Sequence, residues 1–221
     1  MKTIRYLIPV FFALLVSSCC RSREEGRSRF TEEQNRLIPY QKGTIVSFID
    51  HNGEVVSFKT SERKTWWGGS MDLFSEGCSD YIRFETGKAV LSSTYDDSKI
   101  ELWMNLNADR GADGFFYDGE LRWDGSCSIH IGMNLIYSDC TTYLDFNLQA
   151  DKDGAFFTDD PSVSFFEYHE INNYGYYDVI EKNQTATNPY GGQIPVRLFY
   201  NKDYGILQID VAEKNFLMLN R

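Results

Sequence analysis

The segment Ser126–Gln149 constrains the fold most, because its residues alternate between apolar and polar side chains along two successive stretches. If Ser138 and Asp139 form a two-residue turn, Tyr137 lies opposite Cys140, and every second residue points to the same face of a hairpin. A slip of one residue would carry the apolar set to the other face, so the pattern predicts a single register. The inward pairs in that register are Leu135 with Thr142, Met133 with Leu144, Ile131 with Phe146 and Ile129 with Leu148.

A second hairpin is predicted at Asn52-Gly53, a dipeptide that favours a tight turn because both positions accept positive φ. This turn joins predicted strands over Thr44–Asp50 and Glu54–Thr60. The segment that follows, Ser61–Ser70, contains two adjacent tryptophans beside two glycines. We predict that it is a loop that carries two large rings.

The rest of the chain repeats the pattern of short strands between turn residues. After the first twenty residues, no segment of twelve or more keeps a helical period, so few helices are expected. Consecutive strands at this spacing pair with their neighbours and need closure or packing to hide their edges. The sequence therefore predicts an all-β fold of about ten strands, an antiparallel meander that forms either a sandwich or a barrel. The further strands are Asp80–Glu85, Lys99–Asn107, Val163–Ile171, Gly175–Glu181, Ile194–Tyr200, Tyr204–Val211 and Asn215–Asn220.

Residues 1–18 have the order of a secretory signal peptide. Lys2 and Arg5 form a basic head, Tyr6–Val16 is almost entirely apolar, and small residues follow. The apolar run is too short for a membrane-spanning helix. We therefore expect the protein to be exported from the cytoplasm.

The end of this segment, residues 16–19 with the sequence VSSC, resembles the lipobox of bacterial lipoproteins. The resemblance implies cleavage before Cys19 and acylation of that cysteine, for example with palmitate. Acyl chains buried in the bilayer would then anchor the mature protein to a membrane. Cleavage before Cys20 is less favoured because it would put Ser17 at the aliphatic position. An ordinary secretory peptide that happens to end in cysteines is the other alternative.

Two stretches of the domain, residues 43–58 and residues 200–210, resemble uncharacterised lipoproteins of Bacteroidetes-type bacteria. The resemblance implies a membrane-anchored lipoprotein of the bacterial cell envelope, at the outer membrane. Because these lipoproteins are uncharacterised, the resemblance carries over no activity.

The mature chain divides into two parts by composition. Residues 19–37 are charge-rich and lack apolar alternation, which predicts a flexible tether. Residues 38–221 are predicted to form a single β domain, a length that can bury a substantial core. The net charge of -10 and the pI near 4.8 argue against nucleic acid as a partner, because nucleic-acid binding needs basic patches.

Three cysteines remain beyond the pair Cys19 and Cys20, so at most one disulfide can form among them. Cys127 and Cys140 fall at opposite ends of the predicted hairpin and are not expected to bond to each other. Cys78 is then the partner for either one. Three buried thiols that act as small apolar residues are the alternative.

The sequence contains no motif of a known catalytic or nucleotide-binding site, and no Cys/His spacing for zinc. We expect no cofactor and no metal. His130 lies diagonal to Asp145 on the outer face of the predicted hairpin, where it could orient a general base. A surface His-Asp pair without a nucleophile is the preferred interpretation.

Residues 105–113 place four oxygen-bearing side chains at spacings similar to those of a calcium loop. The EF-hand template requires Gly at its sixth position and Glu at its twelfth, but this chain has Arg110 and Phe116 there. A loop that connects two strands is the preferred interpretation, both here and at residues 151–154.

Aromatic side chains supply the candidate binding residues. Trp103 falls on the polar face of its predicted strand, between Glu101 and Asn105. An exposed ring supplies apolar contact area, and neighbouring amides and carboxylates fix a ligand's orientation, as a carbohydrate or peptide platform requires. The alternative is that these rings fill the core. The candidate rings are Trp103, Trp66, Trp67, Tyr81 and Trp123.

These observations favour a non-catalytic envelope lipoprotein whose β domain binds a glycan, a peptide or a protein partner. The alternative is a β-sandwich hydrolase that acts on carbohydrate through paired carboxylates, for which Glu101, Glu120 and Asp145 are the candidates. A structural or assembly role without a small ligand is a third hypothesis.

Overall fold

The computed structural model describes residues 24–72, 81–106, 116–117, 120–121, 127–137, 140–158, 160–187, 192–212 and 214–219. Within these ranges, no helix has the length and apolar character needed to cross a membrane. The helix is α1 (Glu32–Arg36), and the strands are β1 (Glu24–Ser28), β2 (Ile45–Asp50), β3 (Val55–Asp72), β4 (Tyr81–Ser93), β5 (Lys99–Leu106), β6 (Phe116–Tyr117), β7 (Glu120–Leu121), β8 (Cys127–Tyr137), β9 (Cys140–Ala150), β10 (Phe156–Phe157), β11 (Val163–Ile171), β12 (Tyr174–Thr187), β13 (Gln193–Asn201), β14 (Gly205–Val211) and β15 (Lys214–Leu219).

Thirteen of the described strands form one sheet. Twelve of them pair antiparallel in the order β10-β9-β8-β5-β4-β3-β2-β15-β14-β13-β12-β11, and β1 adds to β4 in parallel. β6 and β7 form a separate two-stranded ribbon. The sheet curls into a half-barrel. The prediction of an antiparallel all-β fold is confirmed. Of the two predicted alternatives, a sandwich and a barrel, the structure is closer to a barrel because a single sheet curls around the core.

The hairpin of β8 and β9 has the register that its alternation predicts. Tyr137 pairs with Cys140, and each predicted inward pair from Leu135–Thr142 to Ile129–Leu148 is present. The inward side chains whose burial is described are at most 3 % exposed. Register follows from burial here, because only one phase puts all the apolar side chains in the core. The buried members of these pairs are Ile129, Ile131, Met133, Leu144, Phe146 and Leu148.

The loop prediction for Ser61–Ser70 is wrong, because β3 continues through this segment as far as Asp72. It pairs with β4 along its length, with register shifts between Thr60 and Glu62 and between Trp67 and Gly69. Such bulges let a strand pass a position that breaks the regular ladder. The glycines that suggested a loop therefore lie within a paired strand.

The hairpin at Asn52-Gly53 is confirmed, but its predicted turn geometry is wrong. Gly53 has a φ of 84°, and Asn52 is not among the non-glycine residues with positive φ. The side chain of Asp50 accepts hydrogen bonds from the N–H of Asn52 at 2.9 Å and of Glu54 at 2.8 Å. This Asp cap holds a longer turn that needs only one left-handed residue, and glycine fills that position.

The prediction of a flexible tether over residues 19–37 is wrong for its described part, residues 24–37. β1 pairs with β4, and α1 follows it directly. Thr31 caps α1 and forms a capping box with Gln34, which satisfies two backbone donors at the start of the helix. Phe30 and Leu37 belong to the hydrophobic core. The charged side chains described in this segment, from Arg27 to Arg36, are exposed on the solvent side of an otherwise packed segment.

Two buried tyrosines fix this N-terminal segment to the sheet. The hydroxyl of Tyr200 donates a hydrogen bond to the carbonyl of Leu37, and the hydroxyl of Tyr40 accepts one from the N–H of Ile206 at 2.6 Å. Burial raises the pKa of both tyrosines well above the ordinary value. Both hydroxyls therefore stay protonated and keep these bonds across the physiological pH range.

Cys127 is a free thiol and is fully buried at the start of β8. Burial, together with the negative charge of Asp151, raises its pKa to about 12. Cys127 therefore acts as a small apolar residue, as the alternative of buried thiols predicts for this one cysteine. Cys78 and the side chain of Cys140 lie outside the described residues.

Candidate functional site

Two adjacent rows of side chains cross the outer face of the sheet. One row runs from Lys88 on β4 to Trp103 on β5 and His130 on β8. The next row runs from Glu101 on β5 through Gly132 on β8 to Asp145 on β9. The residues next to them along each strand point inward and fill the core. Because successive side chains of a strand point to opposite faces, the polar residues of the two rows lie on the outer face.

The two rows border a cleft of about 670 Å³, hereafter the Trp103 cleft. Gly132 contributes no side chain, and it lies between two carboxylate residues whose backbones are roughly 10 Å apart, two strand spacings. The missing side chain opens the middle of the row. The residues that line the cleft are Lys99, Glu101, Trp103, Asn105, His130, Gly132 and Asp145.

Trp103 is held rigidly at the cleft. Its indole N–H donates to a carboxylate oxygen of Glu101 at 3.3 Å. The ammonium of Lys88 lies 4.2 Å from the centroid of the Trp103 ring and 3.4 Å from Glu101, and the Lys88 side chain is only 15 % exposed. A cation on one face of the ring and a carboxylate at its edge fix the indole plane.

Trp66 from β3 extends the aromatic surface. Its ring meets the Trp103 ring edge to face, with centroids 5.8 Å apart and planes at 78°. Lys64 lies 5.2 Å from the Trp66 centroid and forms an ion pair with Glu62. The hydrogen bond from Lys64 holds the pKa of the Glu62 carboxyl below its usual value. Each ring is thus accompanied by a cation that has a carboxylate partner of its own.

The other predicted rings do not join this cluster. Trp67 has the guanidinium groups of Arg27 and Arg29 at 5.3 and 5.2 Å from its centroid, so it serves to dock the N-terminal segment. The backbone of Tyr81 pairs with Asp72 at the start of β4, and its side chain lies outside the described residues. Trp123 also lies outside them. Of the five predicted rings, the structure brings Trp103 and Trp66 together.

The structure brings some of the predicted acid and base candidates together at the Trp103 cleft, but not all of them. The register places His130 opposite Asn147 and Gly132 opposite Asp145, which confirms the predicted diagonal between His130 and Asp145. Both residues line the Trp103 cleft, as does Glu101. Glu101 is engaged by Lys88 and Trp103. Glu120 lies on β7, and its side chain is outside the described residues.

The predicted strand-connecting loop after β9 is confirmed. The side chain of Asp151 accepts hydrogen bonds from the N–H groups of Asp153 and Ala155, both at 2.9 Å, which closes a tight turn. Of the other oxygen-rich loop, predicted over residues 105–113, Asn105 lies on β5 and residues 107–113 lie outside the described residues. In the part of the chain that the structure describes, no group of three or more His, Cys, Asp and Glu could hold a metal ion.

Two residues important to the cleft were not predicted. Lys88 lies on β4, which runs to Ser93, whereas the predicted strand ended at Glu85. The apolar run from Ala89 to Leu91, which continues the strand pattern, was the available signal. Gly132 falls at an outward position of the predicted hairpin. A glycine at that position was the available signal for the gap between Glu101 and Asp145.

Comparison of the chain with protein-family models, with curated proteins and with solved structures found no match.

Proposed function

We propose that the protein is a lipid-anchored protein of the bacterial cell envelope that binds a glycan in the Trp103 cleft, without catalysing a reaction. The observation that carries this proposal is the rigid Trp103 indole at the border of a cleft lined by amide, carboxylate and imidazole groups. A fixed ring offers apolar area to the carbon face of a sugar, and the polar groups around it accept and donate hydrogen bonds to hydroxyls.

The cleft is suited to binding a ligand without large rearrangement. Lys88 and Glu101 already hold the indole plane, so little side-chain freedom is lost when a ligand binds. Gly132 leaves room for a ligand group between Glu101 and Asp145. A peptide or a protein surface is the competing ligand class for the same cleft.

The proposed binding is tested by presenting the full-length protein to an array of bacterial and host glycans and measuring hits by calorimetry. Trp103→Ala is expected to weaken binding by about 2 kcal/mol, roughly thirty-fold, because a central aromatic anchor is lost. Gly132→Leu is expected to weaken it similarly by filling the cleft. The matched control is Tyr95→Ala, which removes a ring that is 92 % exposed in the β4–β5 turn and should leave affinity unchanged.

The same experiment separates the competing functions. No glycan bound by the unmodified protein, or binding that survives both cleft variants, would contradict the proposal. The hydrolase alternative rests on the placement of Glu101 and Asp145 in one row across Gly132. Cleavage of a bound glycan that Asp145→Asn abolishes would establish that alternative in place of simple binding.

Anchoring through Cys19 rests on the signal sequence and on the lipobox resemblance of residues 16–19. Cys19→Ala is expected to move the protein from the membrane fraction to the soluble fraction when it is expressed in a bacterium that processes lipoproteins. Cys20→Ala is the matched control and should leave the protein in the membrane fraction. A Cys19→Ala protein that still sediments with membranes would refute the anchor.

A further inference from the structure

Four exposed tyrosines lie together where the β11–β12 and β13–β14 hairpins turn. Tyr168 and Tyr177 lie opposite each other on β11 and β12, with ring centroids 5.4 Å apart. Tyr174 is the first residue of β12, and Tyr204 lies in the β13–β14 turn. We call these four residues the tyrosine rim; their exposure ranges from 38 % at Tyr204 to 67 % at Tyr177. Among the described residues, the other exposed tyrosine is Tyr95, in the β4–β5 turn.

The tyrosine rim is rigid because the two hairpins that carry it are joined. The buried side chain of Asn201 donates a hydrogen bond to the carbonyl of Tyr177 at 3.3 Å and accepts one from the N–H of Tyr204 at 2.8 Å. The Tyr204 ring also packs edge to face on the buried ring of Tyr176, with centroids 5.5 Å apart. A fixed surface of this kind loses little conformational entropy when a ligand covers it.

The sheet topology puts the start of β1 at the same end of the sheet as the tyrosine rim. From β4 to β12 the sheet passes through β3, β2, β15, β14 and β13, which makes six antiparallel steps. An even number of antiparallel steps restores the strand direction, so β4 and β12 begin at the same end. β1 runs parallel to β4, and its first residue, Glu24, lies opposite Tyr81, the first residue of β4. Glu24 and Tyr174 therefore lie at one end of the sheet, and Tyr95, in the turn after β4, lies at the other.

The segment between β1 and β2 crosses this end and connects β1 to the neighbourhood of the rim. The N–H of Phe30 donates a hydrogen bond to the carboxylate of Glu85 on β4 at 3.0 Å. Further along the segment, the hydroxyl of Tyr40 accepts its hydrogen bond from Ile206, two residues after Tyr204. The start of β1 and the tyrosine rim therefore border the same end of the half-barrel.

The proposed lipid anchor indicates what covers this end. Cys19 precedes Glu24 by five residues, so acyl chains on Cys19 would bring lipid headgroups to the end of the sheet that carries the tyrosine rim. Tyrosine suits the headgroup layer because its ring is apolar while its hydroxyl can stay hydrated, and tyrosines are enriched at membrane interfaces.

The charge beside the rim indicates the class of lipid. Glu170 and Asp203 are exposed, and no ion pair among the described residues involves either one. Glu167 and Asp178 share a cavity with Lys202, which offsets one of their two charges. The remaining excess of carboxylates repels anionic headgroups and favours headgroups that end in an ammonium group, which can also lie over tyrosine rings.

We propose that the tyrosine rim inserts into the headgroup layer of a membrane whose lipids carry ammonium headgroups, such as phosphatidylethanolamine, and orients the domain on that membrane. This proposal rests on the proposed acylation of Cys19, which supplies the attachment, whereas the rim supplies the orientation. The β4–β5 turn with Tyr95 then points away from the bilayer.

The test uses the full-length acylated protein, labelled with fluorotyrosine, in nanodiscs of phosphatidylethanolamine and phosphatidylcholine. A small share of the lipids carries gadolinium on the headgroup, which broadens the fluorine NMR signals of nearby rings. The rim signals are expected to be lost to broadening, while the signal of Tyr95, the matched control at the opposite end, stays sharp. The variants that assign these signals are Tyr168→Phe, Tyr174→Phe, Tyr177→Phe, Tyr204→Phe and Tyr95→Phe.

The outcomes separate this proposal from the anchor on which it rests. Protein that does not co-purify with nanodiscs would refute the anchor and the orientation together. Protein that co-purifies but keeps sharp rim signals, or whose Tyr95 signal broadens equally, would refute the orientation alone. Nanodiscs that contain phosphatidylglycerol are expected to broaden the rim signals less at low salt, because the carboxylates repel an anionic surface. Equal or stronger broadening with phosphatidylglycerol would overturn the assignment of the lipid class.

Discussion

Replacing Phe146 with aspartate is expected to unfold the domain, because this side chain lies in the core at the centre of the β8–β9 hairpin. Phe146 is 1 % exposed and pairs with Ile131. Loss of a buried ring alone costs about 3–5 kcal/mol, and an unpaired carboxylate in its place costs more. The total approaches the whole stability of an ordinary domain, about 5–15 kcal/mol. Urea unfolding followed by circular dichroism measures the effect.

The neighbouring residue supplies the control for this experiment. Asn147 lies on the opposite face of the same strand and is exposed. Asn147→Asp should change the free energy of unfolding by less than about 0.5 kcal/mol, as surface substitutions usually do. If both variants unfolded at the same urea concentration, the register of this hairpin would be wrong.

Replacing Gly205 with alanine is expected to destabilise the domain by about 3 kcal/mol. Gly205 has a φ of 77°, which a residue with a Cβ adopts only at a cost of about 1–2 kcal/mol. A Cβ there would also fall 2.9 Å from Cε2 of Tyr40 and closer still to its hydroxyl. Tyr40 is buried and hydrogen-bonded to Ile206, so it cannot move aside, and overpacking adds about 1–3 kcal/mol.

Gly43 separates the two parts of this effect. Its φ is 87°, and a Cβ there would meet nothing within 4 Å. Gly43→Ala should therefore carry the backbone cost alone, about 1 kcal/mol. The measurement is again the free energy of unfolding. Equal losses at the two glycines would show that Tyr40 does not pack against Gly205 as described.

Local alternation was sufficient to predict much of the sheet. The β8–β9 register could be derived because one face of the hairpin is buried and the other is polar, which leaves one acceptable phase. The path of β3 could not be derived, because its pairing with β4 across the bulge at Trp67 overrides the local preference of glycine for turns. The packing of α1 was also missed, since its buried residue Gln34 donates a hydrogen bond to the carbonyl of Asp151, which is distant in sequence.

The position of Trp103 on the outer face could be predicted from the sequence, but its contacts with neighbouring strands could not. Trp103 was placed on the outer face by the alternation of β5 alone. Its approach to Trp66 depends on the pairing of three strands, β3, β4 and β5. The cleft further depends on β5 lying beside β8, although twenty residues separate Leu106 from Cys127 in the chain. Such contacts between distant segments have no signature in local sequence.

The pairing of β1 with β4 has a consequence for how far the domain can stand from the bilayer. β1 begins at Glu24, so only residues 20–23 lie between it and the proposed lipid on Cys19. Even fully extended, the five peptide links from Cys19 to Glu24 reach about 18 Å. In an acylated protein, β1 would therefore begin no more than about 18 Å from the lipid-bearing cysteine, with the β1 end of the sheet toward the lipid headgroups. A glycan captured in the Trp103 cleft would then be retained at the membrane surface, within one domain's width of the bilayer.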